Sequence, residues 1–69
     1  MPEFMPLLPN VTNLPIAEAN NILFQAGYTH VKFIKEPYEG VPPGYTHRQD
    51  PMFDLFVERI REIKVWYNP

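Results

Sequence analysis

The stretch Pro15-Ile16-Ala17-Glu18-Ala19-Asn20-Asn21-Ile22-Leu23-Phe24-Gln25-Ala26-Gly27 decides the fold, because it is the one segment whose apolar residues recur at helical spacing between clear start and stop signals. Ile16, Ala19, Leu23 and Ala26 fall at intervals of three and four, and Ile22 widens the stripe, while Glu18, Asn21 and Gln25 take the wet side. Pro15 suits the first helical position, where its missing N–H would have no partner within the helix, and Glu18 sits in the first turn, where the helix dipole favours an acid. Gly27 supplies the left-handed residue that stops the helix. Beyond Gly27 the chain turns to extended patterns. Residues 29 to 36, with Val31, Phe33 and Ile34 among charged neighbours, read as a strand bounded by Pro37, although Phe33 and Ile34 point to opposite faces. Residues 38 to 44, with Gly40, Pro42, Pro43 and Gly44, read as a turn, and residues 45 to 49 as a short strand of weak pattern ending before Pro51.

At the C-terminal end Ile63, Val65 and Tyr67 alternate with Lys64, Trp66 and Asn68, the period-two mark of a half-buried strand. The segment before it, residues 52 to 62, is ambiguous: Phe53, Phe56, Val57 and Ile60 fit a helical stripe, yet a loop reads equally well. The expected class is therefore α+β, one helix packed on a small, mainly antiparallel three-stranded sheet, in βαββ or βαβββ order.

Composition removes several classes of function. Sixty-nine residues, 45% of them apolar, make one small domain and are too few for two. Six Lys and Arg against eight Asp and Glu give a formal charge of −2, so no long-range positive field draws in nucleic acid or anionic lipid. No apolar run approaches the roughly 20 residues of a membrane span. The absence of cysteine removes disulfides, thiolate-bound zinc and thiol nucleophiles together. The opening Met1-Pro2-Glu3-Phe4 stands before a second methionine, and Glu-Phe is what a common cloning site encodes, so residues 1–4 read as an expression scar and residues 5–69 as a single domain.

Order and residues together resemble the PASTA domain, the module named for penicillin-binding proteins and serine/threonine kinases of the bacterial cell wall. Leu8-Pro9-Asn10-Val11 is similar to its opening strand, and Ile16-Ala17-Glu18-Ala19 with Leu23 and Ala26-Gly27-Tyr28 to its helix and helix end. Val41-Pro42-Pro43-Gly44 and then Gln49-Asp50-Pro51 resemble the family's turn and its Gln-Ser-Pro step, so the likeness runs from Leu8 to Asn68. Three departures stand out. Pro15 replaces the usual hydroxyl residue that caps the helix, removing roughly 1 kcal/mol of capping. Thr46 and His47 replace apolar residues, and Met52-Phe53-Asp54-Leu55-Phe56-Val57-Glu58 replaces a glycine-rich, basic loop. The resemblance implies an extracytoplasmic, wall-facing accessory domain of a transpeptidase or transmembrane kinase, with peptidoglycan fragments or a wall protein as partner, neighbouring domains in a larger chain, and no catalysis or cofactor of its own. The alternative is a structural spacer or protein-docking domain without a small ligand. A more distant alternative is an unrelated α+β adaptor of a phage or secretion assembly.

The residues read by themselves also point away from an enzyme. His30 and His47 are the only histidines, there is no serine, and catalytic zinc ordinarily needs three protein ligands, so solvated or hydrogen-bonded histidines are expected and no metal. Asp50 and Asp54 are four apart, but nothing near them would drive their pKa values apart for acid/base work. Binding has better candidates. Arg48 would offer a stem-peptide carboxylate the two-pronged geometry that lysine lacks, or else would pair loosely with a cross-strand acid. Lys64 and Trp66 share the face opposite Ile63, Val65 and Tyr67, where Trp66 would stack on a sugar or anchor a partner unless residues 52 to 57 cover it. Phe53 and Phe56 are divided in the same way between core and a partner interface.

Overall fold

Burying the helix stripe and the alternate residues of the last strand against each other requires a two-layer packing, and the chain adopts one. The structure, a computed structural model, describes residues 7–69; the Met1–Phe4 segment read as a scar lies outside them. Its elements are α1 (Ile16–Gln25), β1 (Val31–Lys35), β2 (Thr46–Asp50) and β3 (Ile63–Tyr67). The expected α+β class, one helix on three strands, is the observed one. In place of a full opening strand, the N-terminal segment contributes isolated bridges, Leu7 to Phe56 and Pro15 to Tyr45.

The helix begins one residue later than Pro15 suggested. Pro15 is its N-cap, extended at φ −57° and ψ 144° and with no side-chain capping bond, and the free N–H of Ile16 is taken by the Gly44 carbonyl at 3.0 Å. At the other end Ala26 is the C-cap and Gly27 turns left-handed at φ +95°. The Gly27 and Tyr28 N–H groups then close back onto Phe24 and Leu23 at 3.0 and 2.9 Å, the paired bonds of a glycine-stopped helix. This cap drops Tyr28 into the core beside Leu23, where its hydroxyl donates to the Val57 carbonyl at 2.9 Å. The Arg59 side chain passes so close that a Cβ on Gly27 would lie 2.6 Å from its Nε.

The sheet order is β1-β3-β2, with β1 and β3 parallel and β2 and β3 antiparallel. The sheet is thus mixed rather than mainly antiparallel. The cause lies in the connection over residues 36 to 45, which carries the chain past the space beside β1 and leaves it for the most apolar strand to fill last. Ile63 and Val65 have no exposed surface there, and they join Leu8, Val11, Ala19, Leu23, Tyr28 and Val57 in one core, flanked by Val31 and Phe33.

Two polar side chains close the core from the β2 side. Gln49, 2% exposed, accepts the Val11 N–H at 2.8 Å and donates to the Pro9 and Pro51 carbonyls at 3.1 and 3.3 Å. Thr46, fully buried, donates to the Val11 carbonyl at 2.5 Å and accepts the Leu14 N–H at 3.2 Å. These bonds replace a backbone ladder that the proline-rich N-terminal segment cannot supply alone.

Residues 52 to 62 form no helix. Asp54 has φ +62°, and two backbone bonds of this segment go outward to Leu8, from the Asp54 N–H at 2.9 Å and to the Leu55 carbonyl at 2.8 Å, while a single turn closes from the Arg61 N–H to the Glu58 carbonyl at 3.0 Å. Val57 alone of the proposed stripe is buried. Gln49→Leu should lower unfolding free energy by about 3 kcal/mol, because it leaves the Val11 N–H and two carbonyls without partners; a urea midpoint equal to wild type would contradict this. Gly27→Ala should cost about 1–2 kcal/mol in the same assay through the left-handed backbone.

Candidate functional site

Strand pairing sets which side chains share the face turned away from α1. In register, Lys32 lies beside Lys64 and Lys64 beside Asp50, and the next row runs Ile34, Trp66, Arg48. The alternation that sends Ile63 and Val65 into the core sends all six of these to the outer face. Lys32, Lys64, Arg48 and Asp50 are exposed, and Ile34 and Trp66 are half-buried.

Arg48 and Trp66 form the centre of this face. The guanidinium carbon lies 4.0 Å from the indole centroid, so the cation lies over the ring, and its Nη2 continues to Glu36 Oε2 at 3.2 Å. Arg48 therefore crosses β3 from β2 to reach the residue just past β1. Its side chain keeps 54% exposure and Glu36 39%, which places this pair among weak surface ion pairs. Of the segment expected to cover Trp66, Val57 packs with Ile63 and Val65 on the opposite side of the sheet.

Glu36 organises the neighbouring residues as well. His47 Nε2 donates to the Glu36 carbonyl at 2.8 Å, and its Nδ1 is 3.7 Å from Oε1, with only 3% of the side chain exposed. Tyr38 stacks on the imidazole with centroids 4.6 Å apart and 24° between planes. Beyond it, Asn68 accepts the Tyr38 N–H at 3.1 Å and donates to the Val41 carbonyl at 2.6 Å, which holds the turn against the end of β3. The bulge between Thr46 and Arg48 permits this arrangement, since it lets Thr46 enter the core while His47 turns toward Glu36. The sequence reading missed Glu36, Tyr38 and Asn68. Their signal was faint: an acid directly before Pro37, which ends the strand, and an asparagine directly after the last one.

The other candidates stay apart. His30 is exposed with Thr29 Oγ1 at 3.4 Å, and β3 separates its strand from that of His47. Asp50 ends β2 beside Lys64, whereas Asp54 lies in the following loop. Among the described residues no three His, Asp or Glu side chains gather as metal ligands. Phe56 is 71% exposed and Phe53 half-buried; Phe56, Val57, Glu58, Ile60 and Arg61 line an open depression away from the Arg48 face. No family model matches the sequence, and no curated protein matches it.

The single tryptophan makes the Arg48 contact measurable. Arg48→Ala should uncover the indole and increase acrylamide quenching of its emission, with a stability loss of about 1 kcal/mol or less. Unchanged quenching would mean that the guanidinium does not shield the ring.

Proposed function

We propose that this domain is a non-catalytic, extracytoplasmic binding or positioning module that contacts peptidoglycan fragments through its outer sheet face, as an appended part of a cell-wall transpeptidase or transmembrane kinase. The observation that carries the reading is Arg48 laid over Trp66 at 4.0 Å, exposed and pointed along the face. A guanidinium held flat on an aromatic ring is oriented before a ligand arrives, and its planar fork suits the carboxylate of a stem peptide. Trp66 then acts as the support under Arg48 more than as an open stacking platform, and Lys64, on the adjacent row, adds a second cation one strand repeat away. The wall-facing context comes from the PASTA resemblance. Among the described residues no helix is long and apolar enough to cross a membrane.

The alternative, a spacer or protein-docking domain with no small ligand, draws on the exposed Leu7, Leu55, Phe56 and Ile60 near the segment of residues 52 to 62. The two readings place contact at different surfaces.

A two-dimensional NMR titration with a synthetic stem peptide and a disaccharide muropeptide distinguishes them. Saturable shifts centred on Arg48, Lys64 and Trp66 are expected, lost in Arg48→Ala and retained in Glu39→Ala. Glu36→Gln should tighten binding up to about fivefold, since the ligand no longer displaces an internal carboxylate from Arg48. A folded spectrum without localised shifts at millimolar ligand would overturn the ligand reading, and concentration-dependent shifts at Phe53 and Phe56 would favour docking.

A further inference from the structure

Among the described residues β1 has a strand neighbour on one side only, because β3 occupies the other. The phase of the ladder says which backbone groups remain. Ile63 donates to the His30 carbonyl at 2.7 Å and the Glu36 N–H donates to Tyr67 at 2.8 Å, so the even-numbered residues from 30 to 36 face β3. In a parallel pair the alternate residues then turn their N–H and C=O outward, which presents Val31, Phe33 and Lys35 as an open edge. Two lysines flank this edge on opposite faces of the sheet, Lys32 outside and Lys35 inside, both exposed.

We propose that this edge takes an extended acidic peptide segment of a partner protein as a fourth strand. A strand added antiparallel to β1 would set four consecutive residues opposite Lys35, Ile34, Phe33 and Lys32, and cross-strand pairing favours an acid, two apolar residues and an acid in that order. A second copy of this chain fits poorly. Two β1 edges joined antiparallel about Phe33 would set Lys32 of each copy diagonally across from the other's on the outer face, a like-charge contact that an acidic strand does not make. Lysines on an edge also guard against unspecific pairing, and this is the competing explanation for their presence. The proposal does not rest on the Arg48 contact, although Lys32 and Ile34 belong to the same outer face.

The test uses the whole chain and a capped peptide, Thr-Glu-Val-Val-Glu-Thr, with Thr-Lys-Val-Val-Lys-Thr as its charge-reversed control. Amide exchange followed by NMR should show Val31, Phe33 and Lys35 unprotected in the free protein and slowed by the acidic peptide, while Lys32 and Ile34 are already protected. The doubly reversed K32E/K35E variant should bind the acidic peptide about tenfold more weakly and the lysine peptide more tightly. Equal binding of both peptides would overturn the charge argument. No added protection at millimolar peptide, or protection of Val31, Phe33 and Lys35 that grows with protein concentration alone, would overturn the proposal and leave the lysines as guards or the edge as a self-association site.

Discussion

The buried amide of Gln49 is the interaction on which the rest of the structure depends. The segment from Leu8 to Leu14 has to lie across β2 so that Leu8 and Val11 reach the core, yet Pro9 lacks an N–H and no continuous ladder forms there. Gln49 meets the Val11 N–H and the Pro9 and Pro51 carbonyls at once, and Thr46 takes the next pair of groups at Val11 and Leu14. With that segment fixed, Pro15 is delivered to the start of α1 and the Ile16 N–H meets Gly44. Buried polar groups are ordinarily satisfied, and among the described residues no buried side-chain nitrogen or oxygen lacks a partner.

The same two residues show why part of the fold was legible in the sequence and part was not. The helix and the last strand announced themselves because their apolar residues recur at 3.6 and at 2, and packing against one common core makes such periods necessary. The second strand was weak on that measure because its buried positions are Thr46 and Gln49, which hydropathy reads as surface. Their burial follows from hydrogen bonds to residues about 35 to 40 positions away, a relation no local window contains. Strand direction was hidden for a related reason. The parallel pairing of β1 with β3 depends on the path of residues 36 to 45, and that path is held by long-range bonds from Asn68.

The candidate site divides in the same way. Alternation in β3 was enough to set Trp66 and Lys64 opposite the core, and Arg48 was recognisable as a cation on a neighbouring strand. That Arg48 covers Trp66 depends on β2 being its antiparallel neighbour in that register, and that it continues to Glu36 depends on β1 flanking β3 on the other side. A cross-strand acid was the modest alternative for Arg48, and the structure supplies one from the end of a more distant strand. The ion pair is exposed and therefore weak, which leaves the guanidinium able to exchange partners.

Placing the central strand last in the chain also separates the surfaces of this small domain. β3 is flanked on both sides and holds the core on one face with Arg48 and Trp66 on the other, so its own edges are closed. β2 has its outer edge occupied by the N-terminal segment, where Asn13 and Leu14 exchange backbone bonds with Thr46 at 2.8 Å. Only β1 keeps an open edge in the described sheet, and it is the strand that carries a lysine on each face. A side-chain-lined face and a backbone-lined edge recognise different chemistry, oriented charges in the first case and an extended main chain in the second. Because Ile34 and Trp66 form the packed seam between them, occupation of the edge would act on Arg48 only through the position of β1 beneath Glu36, a lever of one residue at the end of the strand.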